Sequence, residues 1–378
     1  MVKIKLGDVI DFKNGKSIKK SDGVIPIYGG NGILGYTNKS NFCHTIVVGR
    51  VGAYCGSIHV EENLCWVSDN AIAGVPKEGQ DLTYLYYVLK SLNLNSKQIG
   101  SSQPLITQSM LRDMVVDIEI NIEKQKRIAN SISIIDQKIQ TNNQINQELE
   151  AMAKTLYDYW FVQFDFPDQN GKPYKSSGGK MVYHPELKRE IPEGWGVEKL
   201  ENVANITMGQ SPKGSSYNES GEGIIFFQGS TDFGWRFPVV RQYTTEPSRI
   251  AEEDDILLSV RAPVGTLNIA DTRCCIGRGL AAINSKVGAN SYIFNVMQDF
   301  KKLFDRMNSV GTTFGSITKD DLYSLQLVYP PTELLMKFDK SVKSFDREIK
   351  NRCRQNQELT QLRDWLLPML MNGQVKVE

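Results

Sequence analysis

The chain has 378 residues, 40% of them hydrophobic and 23% charged, with 44 Lys and Arg against 43 Asp and Glu. That length suffices for two or three domains with cores of their own, and the composition excludes wholesale disorder. A net charge of +1 neither supports nor excludes nucleic acid, because a basic face can be offset by acidic residues elsewhere.

The first residues, Met1-Val2-Lys3-Ile4-Lys5-Leu6-Gly7-Asp8, carry charges where a signal peptide needs an apolar run. No stretch approaches the roughly 18 apolar residues of a membrane span, so a cytoplasmic protein without membrane contact is expected. Residues 1–121 read as a compact mixed domain of short β-branched and aromatic runs broken by turns. Val24-Ile25-Pro26-Ile27-Tyr28-Gly29-Gly30-Asn31-Gly32 is one such strand and turn, and a short helix is predicted over Leu82–Leu92. The six cysteines (Cys43, Cys55, Cys65, Cys274, Cys275 and Cys353) form no CxxC pair. The set Cys43, Cys55, His59 and Cys65 fits no common zinc spacing, so free thiols in strands and no metal are expected.

A long helix is predicted over 122–163. Ile128, Ile132, Ile135, Ile139, Asn142, Asn146, Leu149, Ala153, Leu156 and Trp160 recur in steps of four and three, the pattern of a coiled-coil seam. Asparagines at two successive seam positions cost stability and fix register and partner. Residues 164–195 form a linker, rich in Pro, Gly and Ser, whose aromatics predict packing along a surface. A second mixed domain spans 196–331. A second long helix and tail follow over 332–378, starting at Tyr329-Pro330-Pro331-Thr332. Here Phe338, Val342, Phe345, Ile349, Arg352, Asn356, Leu359, Arg363, Leu366 and Leu370 hold the seam places.

The two halves are one unit written twice. Lys5–Val9 corresponds to Lys199–Val203, and Ile46-Val47-Val48-Gly49-Arg50 to Leu257-Leu258-Ser259-Val260-Arg261. Ile99-Gly100-Ser101-Ser102 corresponds to Val310-Gly311-Thr312-Thr313, Asp136 to Asp346, and Asn146-Gln147-Glu148-Leu149 recurs as Asn356-Gln357-Glu358-Leu359. An offset of 210 or 211 residues held from Arg50 onward marks a tandem duplication. Two equivalent helices in one chain meet at high effective concentration, which favours an intramolecular antiparallel pair with a globular domain at each end. The alternative is two chains dimerising through four helices. The expected class is α+β: two mixed, mostly β domains separated by two long antiparallel coiled-coil helices, as a pseudo-twofold tandem repeat.

The linker from Phe164 to Trp195, the NQEL-bearing helices, the Tyr28–Gly32 turn and the Arg261-Ala262-Pro263-Val264-Gly265 loop together resemble the specificity subunits of type I restriction–modification systems. The resemblance implies that each globular part is a target-recognition domain reading half of a split double-stranded DNA site, with the helices setting the spacing. It implies two adenine methyltransferase subunits as partners, and restriction/translocase subunits for cleavage. S-adenosylmethionine, ATP and Mg would belong to those partners, and none to this chain. The first copy has Arg50-Val51-Gly52-Ala53-Tyr54-Cys55-Gly56 in place of Arg-Ala-Pro-Val-Gly, so the half-sites are expected to differ.

A non-catalytic role agrees with what the sequence lacks. Gly15-Lys16-Ser17 is preceded by Ile10 where a phosphate loop needs glycine, and His44, His59 and His184 stand in no triad or metalloprotease context. No Asn/Asp-Pro-Pro-aromatic loop is present to hold a flipped base. For DNA, arginine suits guanine, amides suit adenine, and lysines, hydroxyls and glycine loops suit phosphate. The candidates are Lys13, Lys16, Lys19, Lys20, Arg50, Tyr54, Ser101, Ser102 and Gln103 in the first domain. In the second they are Lys213, Arg236, Arg241, Arg261, Arg278, Thr312, Thr313 and Phe314. A surface lysine is more often a solvated charge, and Arg50 or Arg261 serves equally as a salt bridge at a strand end. Tyr28 and Trp235 suit a core as well as a base stack. The runner-up reading is a stand-alone duplicated DNA-binding regulator, and a third is a carbohydrate-binding or scaffold protein. Salt-dependent affinity for duplex DNA excludes the third, and co-purification with a methyltransferase separates the first two.

Overall fold

The computed structural model describes residues 1–97, 105–309 and 316–375. Two compact units emerge: Met1–Asn142 with Gln355–Glu378, and Asn143–Arg354. Both boundaries fall inside the long helices, so each unit holds a mostly β domain and a stretch of each helix.

In the first unit six strands form one sheet in the order Ile10–Asn14, Ala71–Pro76, Phe42–Gly49, Ile58–Val67, Ile25–Gly29, Gly32–Thr37. Pairing is antiparallel except where Ile25–Gly29 runs parallel to Ile58–Val67. Residues Thr45 to Gly49 are buried on both faces. Ile46 and Val48 join the core beneath the helix Leu82–Ser91, while Val47 faces Tyr28, Cys65 and Ala73, as strand alternation requires. The Asp81 carboxylate caps that helix by accepting from the Tyr84 N–H at 2.8 Å, which leaves Leu82, Leu85, Val88 and Leu89 buried.

The second unit repeats this pattern in two sheets. One has the order Ala204–Met208, Leu280–Ser285, Ile256–Ser259, Leu267–Ile269; the other contains Ile224–Phe227 and Cys274–Ile276 as parallel neighbours. The strand Ile58–Val67 is here broken in two: Val48 pairs with Ile58 as Leu258 pairs with Leu267, and Ile27 with Trp66 as Phe226 with Cys275. Hydrogen-bond register thus carries the duplication.

The long helices run Ile122–Tyr157, ending in a π-helical turn Asp158–Val162, and Thr332–Met371. In the first unit Ile128 and Ile132 share a core with Leu367, Leu370 and Met371. Arg363 donates to Asp136 at 2.9 Å, and the Asn142 amide donates to Gln355 and Asn356, each at 2.8 Å. In the second unit Asn146 donates to the Cys353 sulfur at 3.5 Å, and Ala153, Tyr157 and Trp160 share a core with Phe338 and Val342. Numbers rising on one helix meet falling numbers on the other: the pair is antiparallel and lies within one chain. Of the seam residues, Ile128, Ile132, Ile135, Asn142, Asn146, Phe338, Val342 and Ile349 are buried, and Ile139, Leu149, Phe345, Asn356 and Leu359 are half-buried.

The linker is folded. Phe166 stacks on Tyr174 and Trp195 at 4.6 and 5.1 Å between ring centroids, and Phe164 meets Trp195 edge-on at 5.4 Å. Asp165 accepts from the Ser176 hydroxyl and N–H at 2.6 and 2.7 Å, and those bonds hold its carboxyl below the usual carboxylate range. All six cysteines are free, and burial pushes the Cys65 and Cys274 thiols up to about 12. Among the described residues no group of side chains is arranged to hold a metal ion, and no helix is long and apolar enough to cross a membrane.

Candidate nucleic-acid interface

In each unit the strand ends of one sheet edge bring several loops together. In the first, the Gly30 carbonyl accepts from the Ser57 hydroxyl and lies 3.3 Å from His59 Nε2, which ties the Gly29–Gly32 turn to the Arg50–Ser57 loop. The Arg50 N–H donates to Asn70 at 3.0 Å, and Lys16 to Val67 at 2.9 Å, adding the Ser68–Asn70 turn and the exit of the first sheet strand. Gly56 has φ +85° and its α-carbon faces the Asn95 backbone so closely that a Cβ would sit 2.6 Å from it; only glycine closes this loop.

The second unit has the same edge: Val260 donates to Gly279 at 2.9 Å, and Gln210 to Ile276 at 3.0 Å. These bonds define which residues correspond. Ile106 donates to the Arg50 carbonyl as Ile317 donates to that of Val260. Val51 bridges Leu105 as Arg261 bridges Ser316. The partner of Arg50 is therefore Val260, and that of Arg261 is Val51. The sequence pairing of Arg50 with Arg261 was off by one residue, which in a strand changes the face a side chain presents. Arg261 is exposed, whereas Arg50 is half-buried, its Nε buried and without a hydrogen-bond partner among the described residues, in a shallow depression with Asn14, Gln108 and Arg112.

Lys16, Lys19, Lys20, Tyr54 and Arg278 are exposed. Lys13 and Lys213 are exposed too, paired with Asp11 at 3.0 Å and Glu246 at 3.6 Å, contacts weak enough to be exchanged for phosphate. Arg241 is tied to Asp232 and to the Thr231 carbonyl. Arg236 is 7% exposed, donates to Glu150 at 3.2 Å and Asp346 at 2.8 Å, and lies over the Phe294 ring, so its guanidinium is committed to a buried ion pair and does not stand on the loop edge as the sequence suggests. Tyr28 is core, its hydroxyl donating to Glu61 at 3.1 Å and its pKa pushed up to about 12 by burial, while Trp235 is 48% exposed. Ser101, Ser102, Gln103, Thr312, Thr313 and Phe314 lie outside the described residues. Sequence reasoning missed Ser211, Gln228 and Asp69, which sit on the same edges; aligning the copies by strand register reveals them.

One loop-bearing edge, built once in each unit with matching hydrogen bonds, defines a duplicated protein. A family model described as "Type I restriction modification DNA specificity domain" matches residues 1–151 and 192–361, and the chain belongs to that family. The "Putative type I restriction enzyme MjaX specificity subunit" of Methanocaldococcus jannaschii is 33% identical over 304 residues, covering 78% of this chain and 68% of the relative. The "Type I restriction enzyme MjaIX specificity subunit" of the same organism is 27% identical over 324 residues, covering 80% and 71%. A crystal structure of a type I restriction–modification S subunit from M. genitalium shares the fold, with a TM-score of 0.65, 19% identity, and coverage of 98% of this chain and 95% of that one. The chain is a DNA specificity subunit, a non-catalytic recognition chain that works with DNA and other subunits of its system.

Proposed function

We propose that the chain reads a bipartite, interrupted duplex, one half with each globular domain, and directs adenine methylation by two docked modification subunits. Restriction/translocase subunits add cleavage, and S-adenosylmethionine, ATP and Mg act on those partners. The observation that carries this reading is one edge built twice with different side chains at corresponding positions: Gly29 and Gln228, Val51 and Arg261, Asp69 and Arg278. Two copies of one scaffold with different tips suit two different half-sites.

The test is reconstitution with the modification partner followed by genome-wide mapping of methyladenine. One asymmetric, interrupted sequence is expected; methyl transfer by the purified chain alone would sink the proposal. Within that assay, Arg261→Ala should relax or weaken only the half read by the second domain, by about 1–3 kcal/mol for one lost base contact. Uniform weakening across sequences with a shallower salt dependence would instead make Arg261 a phosphate contact.

A further inference from the structure

The turn Gly277-Arg278-Gly279 stands out on the second edge. The Gln228 amide and the Arg278 backbone N–H both engage the Ser211 hydroxyl, at 3.0 and 3.3 Å. A Cβ on Gly277 or Gly279 would fall 2.9 Å from the Gln228 carbonyl oxygen, so only glycines allow the turn to lie against Gln228. Arg278 and Gln228 are thus brought together at the backbone, and both are exposed. Arg241 and Arg273 of the same domain are neutralised by Asp232 and Glu252, but Arg278 forms no ion pair among the described residues.

We infer that Arg278 and Gln228 form a two-residue reader of adjacent base pairs in the second half-site, Arg278 taking a guanine and Gln228 an adenine, with Ser211 as the positioning residue. The chemistry follows from the donor sets: a guanidinium fork matches guanine O6 and N7, and a carboxamide matches adenine N6 and N7. The shared Ser211 hydroxyl holds the Gln228 side chain and fixes the backbone from which Arg278 projects, so less freedom is lost on contact. The first edge cannot duplicate this reader. Its corresponding residues are Ser17, Gly29 and Asp69, so the hydroxyl is kept while the amide is gone and the cation has become an anion.

This inference rests on the proposed function, and the two fail separately: an unsubstituted complex that methylates no interrupted sequence ends the proposed function before any variant is made. In a working complex, binding is measured against duplexes permuted at each position of the second half. Arg278→Ala should lower discrimination at one base pair by roughly 10- to 100-fold, and Gln228→Ala at the neighbouring pair, with the first half unchanged. Arg278→Lys should keep overall affinity and salt dependence yet lose the discrimination, because an ammonium cannot make the fork. Ser211→Ala should weaken discrimination at those two pairs and nowhere else. Equal weakening on every sequence by Arg278→Ala, or losses at two pairs that are not neighbours, would overturn the reader.

Discussion

Replacing Arg236 by alanine should destabilise the second unit by about 3 kcal/mol and leave its DNA contacts intact at a temperature where it remains folded. The guanidinium is 7% exposed and joins Glu150 of the first long helix to Asp346 of the second, and Asp346 also accepts from the Ser291 hydroxyl at 2.9 Å. Its cation faces the Phe294 ring with 3.9 Å to the centroid, a contact that gains strength out of water. Removing the cation leaves the Glu150 and Asp346 carboxylates without the ion pair that Arg236 gives each of them. Each keeps about a third of its side chain in water, which places the cost at the low end for a broken buried pair. Denaturant titration reads it as a lower midpoint with unchanged slope. Combining Arg236→Met with Glu150→Leu and Asp346→Leu should recover most of the loss, since the whole cluster can be exchanged for packed apolar groups. An alanine variant of full stability but weakened DNA binding would return Arg236 to the interface.

The helices and the duplication were legible because they are periodic signals. The four–three steps through Ile128, Ile132 and Ile135, and the recurrence of Asn-Gln-Glu-Leu, depend on spacing alone. The recognition edges were legible only in part, for three physical reasons. First, the loop after the central strand is one residue longer in the first copy: Gly49 donates to Ser57, and Ser259 to Thr266. An arginine near the end of both strands then suggested a false equivalence. Second, Arg236 finds its carboxylates 86 and 110 residues away, so its exposed-looking neighbourhood of Gly234, Trp235 and Phe237 hid a buried ion pair. Third, Ser211 and Gln228 mean little as isolated letters, and become a candidate reader only when two strand ends place one amide on one hydroxyl.

Phe338→Ala should cost about 3–5 kcal/mol in the second unit. The ring is fully buried where the start of the second long helix meets the end of the first: Phe161, Trp160 and Tyr157 lie 5.0, 5.8 and 6.2 Å away by ring centroids. Each such pair adds about 0.5–1.5 kcal/mol beyond buried area, so truncation loses both the transfer energy and the ring contacts. The same buried cluster contains Leu200, Ile256 and Ile283 of the recognition domain and Trp195 of the linker, so the truncation falls within the core that the second unit's helices share with its sheet. The three rings that surround Phe338 are large and stiff and cannot all collapse into the space, which keeps the cost high. Phe345, two turns along and only half-buried, should cost much less when truncated, which separates core position from residue type. For a unit of this size the Phe338 variant should melt about 10 °C lower. Phe338→Leu should fall between wild type and alanine, since it keeps part of the volume. If alanine at 338 costs no more than alanine at 345, the aromatic cluster is not what anchors the second domain to its helices.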